Sequence, residues 1–300
     1  MNIKKIPYYY HHPKEALMMM LSKNAHRFKD DRRYLNLKWR IVNFYGGERI
    51  NWEHPTTFNE KLNWLKLNDR NPLYTDMADK YLAKAIASEK IGQEHVAHCY
   101  GVYDKAEEIP FDDLPEQFVL KCTHDSGSMV ICKDRRKLDK GEIIRKLNKA
   151  LQTEYFFKSR EWPYKNIRRR IIAEEYLDDH SGTELRDYKF WCFNGEPKVV
   201  YLTNKGTDIY ENFYDLNFNP LDISHGFRRH IPEFEKPKEL EQMCQMAARL
   251  SEGIPFVRVD FFDVEGQVYF AEYTFYDWGG FMPFTDKSWD IRLGSWIRLQ

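Results

Sequence analysis

Residues Phe256 to Tyr276, FVRVDFFDVEGQVYFAEYTFY, read as two short strands joined by a tight turn at Asp263-Val264-Glu265-Gly266-Gln267. Side chains two apart on a strand share a face. Phe256, Arg258, Asp260 and Phe262 therefore fall on one side, and Val257, Val259 and Phe261 on the other. On the second strand Val268, Phe270, Glu272 and Thr274 share a face, with Tyr269, Ala271, Tyr273 and Phe275 behind them. If Gly266 closes a three-residue turn, Arg258 lies opposite Glu272, with Asp260 diagonal to Glu272 at roughly 7–8 Å along the backbone.

Two carboxylates and a guanidinium then converge on one patch, which is costly to leave dry and unpaired. Read alone, Arg258 and Glu272 are equally an ordinary cross-strand ion pair on a solvated face. The sharper reading is a divalent cation. Mg²⁺ prefers one or two carboxylates plus substrate phosphates, and an Arg beside it can hold a developing oxyanion.

The chain has 300 residues, 42% hydrophobic and 31% charged, enough for two domains or one large one. Basic and acidic residues number 46 each, so no overall positive excess is available to neutralise phosphates, which argues against a dedicated nucleic-acid binder. The five cysteines (Cys99, Cys122, Cys132, Cys192, Cys244) contain no C-x-x-C pair and are odd in number. They suggest neither a disulfide framework nor a zinc site, and free thiols in a reducing cytosol are the simpler account. His95, His98 and Cys99 lack a second ligand pair and read as structural. Ala16 to Leu21 is too short an apolar run for a signal peptide or a membrane span, so the expected location is cytoplasmic, with room for attachment to the inner face of the membrane.

Pro13 to Leu21 and Arg32 to Phe44 carry apolar residues at helical spacing and are expected to pack on the main body. Thr57-Phe58-Asn59-Glu60 is a capping box that opens a helix to about Leu67. A second helix is expected from Asp76 to about Glu89, burying Met77, Tyr81, Leu82, Ala85 and Ile86 and carrying Asp79-Lys80 in its first half. Strands follow at His95 to Tyr100, Phe118 to Cys122 and Met129 to Lys133. The last two enclose Thr123-His124-Asp125-Ser126-Gly127-Ser128, whose amides can fold over phosphate oxygens, while Lys121 supplies charge. The same loop is also ordinary hairpin chemistry. Asp139 starts a helix to Leu151, Ile171 to Leu177 is a strand, Leu185 to Leu202 a hairpin about Asn194-Gly195, and Lys238 to Leu250 an amphipathic helix. Neither G-x-x-x-x-G-K-[ST] nor G-x-G-x-x-G is present.

Asp79-Lys80, Lys121 before a small-residue loop, a strand ending Glu174-Glu175-Tyr176-Leu177, Arg258-x-Asp260 and Glu272-x-Thr274 form an ordered set. The set resembles an ATP-grasp enzyme. Its local phrasing is similar to the TupA-like branch associated with bacterial surface polysaccharides: the Phe58-Asn59-Glu60-Lys61 helix, the Asp187-Tyr188-Lys189-Phe190 strand, and Glu-x-Thr followed by Gly279-Gly280.

The resemblance implies an α+β fold in which two lobes with antiparallel sheets clamp ATP, with a helical N-terminal arm added. The corresponding segments are 1–70 (arm), 71–115 (N-terminal α/β segment), 116–178 (lid subdomain) and 179–300 (C-terminal subdomain with the metal site). It implies phosphate contacts from Lys80 and Lys121, closure by His124, Ser126, Gly127 and Ser128, adenine contacts from Glu174, Glu175, Tyr176 and Leu177, and a ribose contact from Asp178, Asp179 or Glu184. Asp260, Glu272 and Thr274 would hold Mg²⁺, and Arg258 with Lys189 would serve the reacting carboxylate. Arg186, Arg228 and Arg229 would bind an anionic acceptor.

Thr274 stands where many ATP-grasp enzymes use Asn, which puts the number of metal ions in question. Asp125 must turn away from a triphosphate or approach a cation. The implied reaction is ADP-forming carboxylate–amine ligation, joining an amine or amino acid to a uronic-acid-type sugar. The competing classes are a glycosyltransferase using a nucleotide sugar and a non-catalytic nucleotide-binding scaffold. The sequence assigns no oligomeric state.

Overall fold

The structure, a computed structural model, describes residues 12–43, 49–180, 185–204, 210–227, 229 and 233–299. Two antiparallel sheets organise it. The smaller has the order β1-β4-β2-β3, from β1 (Cys99–Tyr103), β2 (Phe118–Cys122), β3 (Val130–Cys132) and β4 (Ile171–Glu175). The larger has the order β10-β9-β5-β6-β7-β8. Its strands are β5 (Asp187–Phe193), β6 (Glu196–Asn204), β7 (Tyr210–Tyr214), β8 (Pro220–Leu221), β9 (Phe256–Val264) and β10 (Gln267–Thr274). The class is α+β, as the resemblance implies.

Helices α1 (Pro13–Lys23) and α2 (Asp31–Val42) form a third, small core around Tyr34, Leu35 and Phe281. Helix α3 (Phe58–Asn68) opens on the expected capping box. Its Phe58 is fully buried against Trp191 and Phe256, with ring centroids 5.2 and 4.9 Å away, so α3 roofs one end of the large sheet. Burying such a ring contributes about 2–3 kcal/mol.

The expected helix from Asp76 to Glu89 is two helices, α4 (Leu73–Ala78) and α5 (Leu82–Ile91). The Asp79 carboxylate breaks it by accepting the amides of Tyr81 and Leu82 at 2.8 and 3.2 Å, an N-cap arrangement. The break resets the helical phase: Ala83, Ala87 and Ile91 are buried, whereas Tyr81 and Ala85 are exposed. The expected strand from His95 begins only at Cys99, because Gln93–His95 is a 3₁₀ turn. Helix α6 (Lys140–Leu151) covers the small sheet through Ile143 and Leu147, the short α7 spans Phe156–Ser159, and α8 (Leu240–Ser251) covers the large sheet through Met243, Ala247 and Leu250. Helix α9 (Lys287–Trp296) packs against α3.

The β9–β10 hairpin departs from its expected register. Its turn has two residues, Glu265 and Gly266, both left-handed (φ 53° and 88°), so Val264 pairs with Gln267. A bulge between Phe270 and Glu272 then shifts the pairing by one. Glu272 faces Asp260 directly, and Arg258 faces Thr274. The bulge also separates Phe270, paired with Phe261 and 4% exposed, from the face that Glu272 was expected to share with it. The strand thereby sends its apolar half to the core and its acidic residue to the opposite side.

Candidate active site

Register carries the charged face across the large sheet. Lys189 pairs with Asp260 and Trp191 with Arg258, while Tyr201 of β6 pairs with Lys189 and Phe213 of β7 with Tyr201. Glu211, two residues before Phe213, falls on the same side.

Arg258 is the hub. Its Nε and Nη2 donate to both oxygens of Asp260 at 2.7 Å, Nη2 also donates to Glu272 at 3.0 Å, and Nη1 donates to Tyr201 Oη at 3.1 Å and Asp277 Oδ1 at 2.5 Å. All five N–H groups of the guanidinium are therefore engaged. Asp260 and Asp277 are buried, whereas the Glu272 side chain is 40% exposed. Burial pushes Asp260 up to about 6 against the pull of Arg258 and Lys189. Partial burial would raise Glu272, but Lys80 and Arg258 outweigh it and hold the carboxylate below its usual range. Lys189 pairs with Asp187 at 2.8 Å.

The small sheet carries a second charged face. Lys121 and Glu174 lie on the side of β2 and β4 away from the Phe118, Leu120 and Ala173 core, and they form an ion pair. Lys84, one turn beyond Lys80, joins Glu174 at 2.8 Å. The two lysines hold Glu174 low despite its burial. Lys80 sits in the helix break, where its amide donates to Thr123 O at 3.0 Å and its ammonium to Asp125 O. Burial lowers its amine, while the charges of Glu272, Asp125 and Glu174 around it oppose the shift.

In the loop after β2, Asp125 turns inward: Ser128 Oγ donates to its carboxylate at 2.6 Å and accepts from Cys122 N at 3.0 Å. His124 is buried with Nε2 3.1 Å from Thr153 O. Ser126 and Gly127 form the exposed tip. Glu175 accepts from His98 N at 3.2 Å, Tyr176 lies 5.6 Å from Lys133 Nζ, and Leu177 is half-buried just past β4. Burial and a hydrogen bond with Glu239 raise Asp263, near the hairpin turn, and Asp179 lies close enough to add to the shift.

Two of the arginines expected for an anionic acceptor are engaged locally. Arg186 lies over Phe234 at 5.8 Å, Arg229 pairs with Glu233 at 2.7 Å, and Arg228 lies outside the described residues, as does Glu184. Asp277, Glu211, Tyr201 and Lys84 are not singled out by the sequence, and Asp187 enters it only as part of the Asp187–Phe190 strand. Of these, the spacing of Lys84 after Lys80 and the Asp277-Trp278-Gly279-Gly280 stretch were the available signals.

Among the described residues, no cluster of three or more His, Cys, Asp or Glu side chains could alone hold a metal ion. Asp260 and Glu272 pair directly, with Thr274 on the same face, and two carboxylates could hold a Mg²⁺ whose shell phosphates complete. No helix among the described residues is long and apolar enough to cross a membrane.

Three solved structures show partial likeness. The chain is 17% identical to D-alanine–D-alanine ligase from Bacillus anthracis complexed with ATP (TM-score 0.39), covering 66% of this chain and 53% of that one. It is 11% identical to the ATP-grasp ligase PsnB complexed with a minimal precursor (TM-score 0.39; 72% and 60%). It is 13% identical to an L-amino acid ligase from Bacillus licheniformis (TM-score 0.42; 86% and 54%). The chain thus spans little more than half the length of these proteins. No curated protein matches it. A family model described as TupA-like ATPgrasp matches residues 60–298, most of the chain, and the chain belongs to that family.

Proposed function

We propose that the chain is an ATP-dependent, ADP-forming carboxylate–amine ligase. The observation that carries this reading is the presence of two charged clusters, Lys121–Glu174–Lys84 on the small sheet and Lys189–Arg258–Asp260–Glu272 on the large one, with Lys80 close enough to Glu272 and Glu174 to feel both charges. Lys80 and Lys121 would take phosphate oxygens, with the Ser126-Gly127 tip closing over them, and the apolar residues Val119 and Ile172 beside Glu174 would wall the nucleotide. The residues that follow β4, from Glu175 to Leu177 and Asp179, would meet base and ribose.

Asp260 and Glu272, with Thr274, would hold Mg²⁺, which when bound offsets phosphate charge. A substrate carboxylate oxygen attacks the γ-phosphorus, the bond to the β-phosphate oxygen breaks, and ADP leaves. An amine then attacks the acyl carbon, inorganic phosphate departs and the nitrogen gives up its proton. Arg258 and Lys189 serve the carboxylate oxygens. The N–H that Arg258 gives to Glu272, its one partly exposed partner, is the one a substrate oxygen can take over.

The carboxylate we assign to a uronic-acid-type sugar of a surface polysaccharide or its precursor, and the amine to an amino acid. Enzyme given ATP, Mg²⁺, a panel of uronic acids and hydroxylamine in place of the amine is expected to release ADP and phosphate and to trap a hydroxamate. Formation of AMP and pyrophosphate, or turnover of a nucleotide sugar without ATP, would overturn the reading.

A further inference from the structure

We propose that Trp278 and Phe227 form a stacking platform for a saccharide ring, whose hydroxyls are hydrogen-bonded by the Glu211 carboxyl. This rests on the active face assigned above and names the acceptor side of it.

Trp278 sits in the left-handed region (φ 47°, ψ 27°), which side-chain-bearing residues rarely adopt, and Gly279 and Gly280 continue the same conformation (φ 63° and 65°). The neighbours enforce it. Lys66, 1% exposed, donates to Gly279 O at 2.6 Å, and Asn63 donates to Gly280 O at 2.7 Å. A Cβ at Gly279 would lie 3.0 Å from Ser159 Oγ, and one at Gly280 3.0 Å from Leu62 Cβ, so this side of the loop is closed. On the other flank, Asp277 is clamped by Arg258.

A strained backbone so thoroughly over-determined is characteristic of functional sites. Its product is an indole left 43% exposed, with its ring centroid 5.0 Å from that of Phe227, one residue past the clamp on Arg258.

Glu211 supplies the second, independent observation. It is 3% exposed, and the Trp278 indole is the donor beside it, while among the described residues neither carboxyl oxygen makes a hydrogen bond of full geometry. Burial and the charge of Asp277 push it up to about 8, with Trp278 close enough to pull it partly back. At neutral pH it is a protonated carboxyl: the Trp278 N–H can serve its acceptor oxygen, but an indole accepts nothing, so the carboxyl O–H is left costly to bury unless a ligand accepts it. A pyranose ring, with a C–H face and a rim of hydroxyls, satisfies both features. An aliphatic or aromatic amino-acid side chain would cover the rings and leave the carboxyl unmet.

The test is saturation-transfer NMR on the full chain in ADP and Mg²⁺, with ADP affinity measured separately by calorimetry. The probes are methyl glucuronide, methyl galacturonide and methyl glucoside, against phenylalanine amide and leucine amide. Transfer to sugar ring protons is expected, falling at least fivefold in Trp278→Gly while ADP affinity stays within twofold. Because glycine relieves the left-handed strain, the melting temperature of that variant should equal or exceed the parent's, separating lost binding from lost folding. Sugar signals absent from the parent chain, or unchanged in Trp278→Gly, would overturn the platform whether or not the amides bind. Failure of ADP to bind would count against the nucleotide reading and not against the platform.

Discussion

Asp260 and Glu272 face each other directly across β9 and β10, and one nitrogen of Arg258 donates to both, at 2.7 and 3.0 Å. One carboxylate is buried and the other 40% exposed. Glu272, the more exposed of the two, is therefore the carboxylate that an incoming cation reaches first.

Glu272→Gln is therefore expected to keep nucleotide binding within about threefold and to lose Mg²⁺-dependent ATP turnover by about 100-fold, since an amide keeps the shape and removes the charge. A turnover titration against Mg²⁺ checks this. Wild-type rates at ordinary Mg²⁺ would remove Glu272 from the metal site.

Arg258→Lys keeps the charge and loses the fork that spans Asp260, Glu272 and Asp277. Turnover should fall at least about 100-fold, and stability by about 2–4 kcal/mol as buried carboxylates lose donors. Denaturant titration beside steady-state kinetics reads both. A near-normal rate would make Arg258 a structural ion-pair partner only.

Gly280→Ala places a methyl against Leu62 and Asn63 at a residue with φ 65°. A loss of about 1–3 kcal/mol is expected from strain and crowding, with acceptor binding weakened more than ATP binding. Chemical denaturation and parallel calorimetric titrations check it. Unchanged stability would mean that the 277–280 segment adapts freely.

Glu211 holds its proton in the folded chain up to about pH 8, against an ordinary 4.5. Between these values the unfolded chain has released the proton and the folded one retains it, so this group's contribution is full below about pH 4.5 and is lost as pH rises through 8. Glu211→Gln should remove a slope of up to about 1.4 kcal/mol per pH unit across that window. Unfolding free energies of the two proteins at pH 5, 6, 7 and 8 measure it, and parallel pH profiles would contradict a buried, protonated Glu211.

Much of this was legible wherever the information is local. Strand alternation located Arg258, Asp260 and Glu272, and the capping box located α3. The bulge between Phe270 and Glu272 was not legible, because it is selected by burying Phe270 and Val268 against the core while Glu272 stays on the opposite face. Nor was the break at Asp79, whose side chain competes with the helix for backbone amides. Tyr201, Glu211 and Asp277 join the site only through sheet register and the folding back of the 277–280 loop, relationships that no spacing along the chain encodes.

The central claim is that the Lys80–Lys121 face takes the phosphates of ATP, and calorimetric titration with MgATP, UDP-glucose and GDP-mannose tests it most directly. Lys121→Ala is the companion variant, because Glu174 keeps Lys84 at 2.8 Å and the fold should survive. The account predicts one MgATP bound per chain, no heat from either nucleotide sugar, and at least about tenfold weaker MgATP binding in the variant, the loss of one charged hydrogen bond. Binding of a nucleotide sugar without ATP, or equal MgATP affinity in both proteins, would contradict it.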